Sequence, residues 1–186
     1  MKKFLFITLR LLKYQFLSDC RKVIGKPKLF HPLLMKGEGT IQFGNNVQIG
    51  VVSSPFFYSH YCYLEARSPK SVIKIGNNVS INNNFSASAL STIEIQDHVL
   101  IGYNCSIIDN DGHSIDPNNR NDNSKPASVL IEKNVFIGSN VTLLKGVTIG
   151  ENSVIGNGSV VTKNIPKNSV FAGNPAKFIR EIECSN

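Results

Sequence analysis

The chain predicts an all-β solenoid built from very short parallel strands, and three observations carry that fold class. Over 131–166 the sequence reads in sixes as IEKNVF, IGSNVT, LLKGVT, IGENSV, IGNGSV and VTKNIP. An aliphatic residue opens every block: Ile131, Ile137, Leu143, Ile149, Ile155 and Val161. Four places later stands a small or β-branched residue, from Val135, Val141 and Val147 to Ser153, Ser159 and Ile165. Between them lie Gly, Asn and Lys; these suit turns, and Gly and Asn tolerate positive φ. A period of six matches neither the 3.6 of a helix nor the alternation of an ordinary strand. It matches a prism whose coils stack, with the opening aliphatic pointing inward and a corner every six residues. A β-sandwich would alternate without a fixed corner.

The other elements follow in order. Residues 1–25 contain no Pro and no internal Gly and are rich in Leu, Phe and Lys, so a helix is expected, ended by Gly25 and Pro27. Arg10 and Lys13 break its apolar run and no small-residue cleavage site follows, which argues against a signal peptide. It is also too short and too charged to span a bilayer. At 100° per residue Lys2, Lys3, Arg10, Lys13 and Arg21 share a stripe flanked by apolar faces. Two readings stay open: a helix packed on the first coil or on a neighbouring subunit, or a peripheral membrane anchor. Residues 26–40, with His31 beside Pro32, are expected to be a linker, so 1–40 forms the N-terminal helix and linker.

The β-helix is expected over 41–166. FGNNVQ from Phe43 and IGVVSS from Ile49 begin it; Pro55 and the aromatic run Phe56, Phe57, Tyr58, Tyr61 and Tyr63, with His60 inside it, interrupt it. These rings suit either an acceptor groove or an irregular, aromatic-filled coil. The hexads resume at Ile75, slip by two residues near Ala87–Ala89, and continue through Ile95, Ile101 and Ile107, with His98 at an outward corner. The next opener in register would be position 113, yet the pattern returns only at Ile131. A polar loop of 18 residues, at about 113–130, therefore leaves the scaffold there. Residues 167–186 are expected to cap the open end, with a short helix from about Ala176.

With 186 residues and 18% charged side chains, the chain suits one domain with an appendage rather than disorder. Its net charge of +7 points to polyanionic company: an anionic membrane surface, cofactor phosphates or nucleic acid. No basic motif interleaved with aromatics and no zinc-finger spacing is present, so no nucleic-acid partner is expected. Cys20, Cys62, Cys105 and Cys184 are scattered without a CxxC, which suggests reduced thiols, no metal and a cytoplasmic location, with the inner face of the membrane left open by the first helix.

The hexads resemble the hexapeptide-repeat acyltransferases. That resemblance covers about 40–183 and includes the specific ending AGNPAKFIREI. It implies a left-handed parallel β-helix, a homotrimer, and acetyl-coenzyme A as acyl donor in the groove between subunits. Transfer to a hydroxyl needs a base, a group that fixes its tautomer, and oxyanion donors. His113, in DNDGHSID at the head of the inserted loop, resembles the catalytic histidine of the family's sugar O-acetyltransferases. Asp111, Asp116 and Asp109 lie close by; Asp111 is the expected orienting group, and a backbone carbonyl would serve equally. Asn84, in NNNFSAS, resembles an asparagine that faces the site in galactoside- and maltose-type enzymes. Their acceptor-contacting Asp falls here at Leu90 or Ser91, and their N-terminal acceptor module has no counterpart. Ser139, Asn157, Thr162, Lys163, Lys177 and Arg180 match the family's coenzyme-contacting pattern, with the three cations suited to nucleotide phosphates.

The function implied is O-acetylation of a sugar hydroxyl on a small-molecule or oligosaccharide acceptor, such as a surface polysaccharide, O-antigen or capsule precursor. N-acetylation of an amino sugar, or O-acetylation of an antibiotic, is the alternative. A γ-type carbonic anhydrase would need three histidine ligands, two close together, and His31, His60, His98 and His113 do not show that spacing. A purely structural solenoid would not explain the break at His113.

Overall fold

The computed structural model describes residues 4–121 and 125–183. From Lys22 onward the chain winds round a three-sided prism, and each coil gives one strand to each of three sheets. The first sheet stacks Lys22–Ile24, Thr40–Phe43, Val72–Ile75, Thr92–Ile95, Val129–Ile131 and Thr148–Ile149. The second stacks Lys28–Leu29, Gln48–Ile49, Ser80–Ile81, Leu100–Ile101, Phe136–Ile137, Val154–Ile155, Ser169–Ala172 and Lys177–Glu181. The third stacks Leu33–Lys36, Cys62–Ala66, Ser86–Ala89, Ser106–Ile108, Thr142–Leu143 and Val160–Val161.

Where the hexads are unbroken, successive coils are offset by 18 residues, three hexads, as in Leu130↔Thr148, Phe136↔Val154 and Thr142↔Val160. The offset widens to 20 from Val72 to Thr92, to 32 from Thr40 to Val72, and to 36 from Ile93 to Val129. The extra residues leave and return at corners, so the strands stay in register. The larger departures are a loop between Ile49 and Cys62, a turn between Ala66 and Val72, the pair Leu90–Ser91, and a loop between Ile108 and Val129.

The openers fill the prism. Ile41, Ile73, Ile93 and Ile131 in the first sheet, Ile81 and Ile155 in the second, and Leu64 and Val161 in the third are fully buried. Each contributes about 1.5–3 kcal/mol of burial. The edge between the first and second sheets turns on residues with positive φ, namely Asn46, Asn78, His98, Asn134, Asn152 and Asn168. His98 is exposed there, as an outward corner requires. Asn is favoured because its amides also bond from coil to coil: Asn134 Nδ2 donates to Asn152 Oδ1, and Asn152 Nδ2 to Asn168 Oδ1, both at 2.8 Å. Cys62 and Cys105 are core thiols, which burial pushes up to about 12 and about 11, and Cys20 is also a free thiol. Cys184 lies outside the described residues.

Three expectations are corrected. The N-terminal helix is shorter than 1–25: a π-helical turn over Phe4–Thr8 leads into α1, Leu9–Leu17, and the chain is already a strand at Lys22. Residues 26–40 are not a linker, because Lys28–Leu29 and Leu33–Lys36 belong to the first coil. The end of the chain forms no helix from Ala176: Lys177–Glu181 is a strand antiparallel to Ser169–Ala172. The physical reason is the open sheet edge. A short helix gains little by itself in water, whereas a returning strand satisfies the backbone groups that Ser169–Ala172 would otherwise leave bare. Among the described residues no helix is long and apolar enough to cross a membrane.

Candidate active site

Two edges of the prism carry the residues singled out from the sequence. Along the edge between the second and third sheets, Asn84, Asn104 and Asn140 each take positive φ, at 58°, 57° and 59°. Asn84 Nδ2 donates to Asn104 Oδ1 at 2.7 Å, and Asn104 Nδ2 to Asn140 Oδ1 at 2.8 Å. One coil further on, the Ser139 N–H donates to Asn157 Oδ1 at 2.7 Å. Lys177 follows on the capping strand, in register with Ala172, and is exposed, as is Arg180. The line from Asn84 through Ser139 and Asn157 to Lys177 is therefore continuous.

A groove of about 460 Å³ opens along this edge, and His60, Tyr61, Tyr63, Asn84, Asn104 and Thr142 are among its lining residues. Its wall is the loop between Ile49 and Cys62, built largely from the aromatic run. Phe56 meets His60 edge-on at 4.7 Å and Tyr103 at 5.9 Å. The His60 Nδ1 lies 2.8 Å from Ser59 Oγ. Two groups that sequence reasoning missed hold this loop. Asn83, fully buried, accepts from the Val51 N–H at 3.0 Å and donates to Val51 O at 3.0 Å and Pro55 O at 2.8 Å. From the side, Arg10 of α1 donates to the carbonyls of Phe57 (2.7 Å), Ser59 (2.9 Å) and His60 (2.5 Å). Tyr14 stacks on Tyr61 at 4.4 Å. The spelling gave no signal for Asn83: the third place of the hexad is also Asn in FGNNVQ and IGNNVS, and the residue that departs in INNNFS is Asn82, where those two blocks have Gly.

The edge between the third and first sheets carries His113. Its loop starts at Asp109, whose fully buried carboxylate accepts from the N–H groups of Leu90 (2.8 Å) and Ser91 (2.6 Å). Asp109 thus serves the two-residue insertion one coil below. The loop returns through the Ala127 N–H donating to Asp109 O at 2.8 Å and the Gly146 N–H donating to Ala127 O at 2.9 Å. Asp111 pairs with Lys145, which also donates to Lys125 O at 3.2 Å. Asp116 makes a turn: the N–H of Asn118 and the amide of Asn119 hold its carboxyl below the usual carboxylate range.

His113 is exposed, and its Nδ1 lies 3.2 Å from the carbonyl oxygen of Arg120. A carbonyl only accepts, so this contact assigns the proton of the neutral ring to Nδ1 and leaves the Nε2 lone pair outward. The ring is thereby oriented by a backbone group, while Asp111, the expected orienting group, is engaged by Lys145. Thr162 and Lys163 are exposed on this same edge, just beyond Val160–Val161.

The sequence-predicted residues thus divide. Asn84, Ser139, Asn157 and Lys177 follow one edge, with Arg180 on the same capping strand; His113, Thr162 and Lys163 follow the other. Among the described residues of the 109–128 loop, none lines the 460 Å³ groove of the same chain. Among the described residues no group of three or more His, Cys, Asp or Glu could hold a metal ion.

Residues 128–163 match the family model for the bacterial transferase hexapeptide (six repeats). A hexapeptide-repeat acetyltransferase of Vibrio cholerae, solved with acetyl-coenzyme A, superposes with a TM-score of 0.62 at 30% identity, over 76% of this chain and 70% of that one. The chain belongs to the hexapeptide-repeat family. Its prism is accordingly the left-handed parallel β-helix of that family. The galactoside O-acetyltransferase of Escherichia coli is 45% identical over 111 residues, 59% of this chain and 54% of that protein. The structure of a polysialic-acid-specific acetyltransferase superposes with a TM-score of 0.63 at 25% identity, over 89% of this chain and 85% of that one. The chain spans about half the length of the curated relatives it matches.

Proposed function

We propose that this member of the hexapeptide-repeat family is an acetyl-coenzyme A-dependent O-acetyltransferase acting on a sugar hydroxyl of a surface polysaccharide, O-antigen or capsule precursor. It works in the cytoplasm as a homotrimer, with the N-terminal helix reaching the inner face of the membrane. The observation that carries the reading is the division of the matched residues between two edges of one prism. Each edge is half a site, and a neighbouring copy supplies the other half when prisms pack side by side. His113 and Lys163 of one copy then face the groove of Asn84, Ser139 and Asn157 of the next.

The chemistry follows from those groups. Nε2 of His113 takes the hydroxyl proton as the sugar oxygen bonds to the thioester carbonyl carbon. The tetrahedral oxyanion collapses, the C–S bond breaks, and the imidazolium returns the proton to the departing thiolate. The products are the acetyl ester and free coenzyme A. Tyr61 and Tyr63 offer ring faces on which a sugar stacks. The test is thiol release from acetyl-coenzyme A across a panel of sugars, oligosaccharides and nucleotide sugars, alongside thermal melting with coenzyme A. Turnover on a sugar hydroxyl and a raised Tm are expected. No thiol release with any acceptor, together with an unmoved Tm, would remove the reading.

The exposed cations make a second prediction. Lys163→Glu or Arg180→Glu should raise KM for acetyl-coenzyme A by roughly ten- to a hundredfold, the worth of a charge-assisted contact. The kcat should change little, because phosphates remote from the thioester contribute binding common to ground and transition states. A truncated pantetheine thioester should feel the change much less. Equal losses with both donors would mean that neither cation meets the nucleotide.

A further inference from the structure

Charge is distributed unevenly along the chain. Residues 1–36 hold nine Lys and Arg against one Asp, whereas residues 37–186 hold eleven against twelve Asp and Glu. The single acidic group of the first stretch, Asp19, is paired with Lys36. Lys2 and Lys3 lie outside the described residues; the other seven cations, Arg10, Lys13, Arg21, Lys22, Lys26, Lys28 and Lys36, belong to α1 and the first coil. Lys13, Arg21, Lys22, Lys26 and Lys28 are exposed there.

The same region is apolar as well as basic. Arg10 and Tyr14 of α1 face the groove loop. At 100° per residue Leu9, Leu12 and Phe16 fall on the opposite side of the helix. They are 41%, 53% and 90% exposed. Between the helix and the first coil a second groove of about 930 Å³ is lined chiefly by apolar side chains, among them Leu11, Leu29 and Phe30. Lys28 stands over the Phe30 ring, 4.8 Å from its centroid, at the rim of this groove. An apolar stripe set in a basic field matches an anionic lipid–water interface, where acyl chains receive the stripe and headgroup phosphates receive the cations. It does not match a second copy of the same end, which would bring two strongly positive surfaces together.

We propose that the N-terminal end of the prism docks on an anionic membrane surface, seated through Leu9, Leu12 and Phe16 and ringed by Lys13, Lys22, Lys26 and Lys28. The docking face and the groove wall share one helix: Arg10 and Tyr14 hold the Phe57–Tyr61 segment while the opposite side meets lipid. The groove of Asn84 is then kept at a fixed distance from the bilayer, which suits an acceptor carried on a membrane lipid. That last step rests on the acetyltransferase reading; the docking itself does not.

The test is flotation of the full chain with vesicles of phosphatidylcholine and phosphatidylglycerol, against vesicles of phosphatidylcholine alone. Binding to the anionic vesicles should be about tenfold tighter or more, and should weaken as salt is raised. Leu12→Gln with Phe16→Gln should lower the partition by roughly tenfold, from the apolar side. Lys22→Glu with Lys26→Glu should lower it comparably from the electrostatic side. Both pairs should leave the oligomeric state, the coenzyme A-dependent Tm shift and turnover of a soluble acceptor unchanged. A full chain that ignores anionic vesicles overturns the proposal. So do Leu12 and Phe16 variants that bind lipid like the wild type but dissociate the assembly, since the stripe would then lie between copies.

Discussion

His113→Ala is expected to lower kcat by roughly 10²–10⁴ while acetyl-coenzyme A still binds and the assembly still forms. A sugar hydroxyl is a poor nucleophile until its proton has somewhere to go as the C–O bond forms, and in the proposed reaction the outward Nε2 supplies that place. Asp109, Lys145 and Gly146 fix the two ends of the loop, and among the described residues the imidazole adds an exposed contact to Arg120 O. The loss should therefore appear in kcat, not in stability. His113→Asn should behave almost as badly, because an amide can keep a hydrogen bond to the carbonyl yet cannot take the proton. His98→Ala, at an exposed corner, should stay within a few-fold of wild type. Near-normal kcat for His113→Ala on a turned-over acceptor would move the base to His60, the histidine that lines the groove within one chain.

Much of the fold was legible because the hexad is sterically strict at two places. The inward opener must fill a prism of fixed width, so after Phe43 it is Ile, Leu or Val in the hexads from Ile49 to Val161, and the corner must take positive φ, so Asn recurs. What failed were segments whose state is decided by distant partners. Residues 26–40 lack the hexad spelling, and their strands exist because Gln48–Ile49 and Cys62–Ala66 offer edges to pair with. AKFIREI has spacing that suits a helix, and the open edge of Ser169–Ala172 makes it a strand. Local propensity cannot report an edge supplied by another coil.

The site was legible in parts for the same reason. The missing hexads after Ile107 exposed the loop and its histidine, since an interruption of a strict repeat is itself a signal. The group that fixes the ring was not visible, because it is the backbone of Arg120 and any residue there would offer the same carbonyl. Arg10 was read as part of a basic stripe, and nothing local shows that its guanidinium reaches carbonyls 47 to 50 residues away. The division of the matched residues between two edges also needed coordinates. Spacing gives the coil on which a residue lies only when the inserted loops are assigned to the right corner.

The second large effect is expected from acid. His31, expected in a linker, is instead fully buried in the first coil, with neither ring nitrogen hydrogen-bonded. Gly50 makes the space: its φ is +98°, and a Cβ there would lie 2.4 Å from the His31 Cβ. Burial lowers the imidazole to about 4, the guanidinium of Arg10 adds to the shift, the Phe57 backbone opposes it, and His60 contributes weakly in the lowering sense. In the unfolded chain the same ring titrates near 6.5. As pH falls below that value the unfolded state binds a proton that the folded state refuses, so stability drops between about pH 6.5 and 4 and levels off below. The full shift corresponds to at most about 3 kcal/mol. The ring is covered by the segment through Phe57 near the end of the prism, so roughly 2–3 kcal/mol is the expected loss. For a chain of this size that is a fall of about 4–12 °C in Tm. His31→Leu keeps a similar volume and removes two unpaired polar atoms, so it should match or exceed the wild type at pH 7.5. Thermal melting of both proteins from pH 7.5 to 4 isolates the term, because every other titrating group is common to the pair. The two curves should diverge as the pH passes 6.5, with the wild type falling faster; parallel curves would mean that His31 is protonated as readily in the folded chain as in the unfolded one.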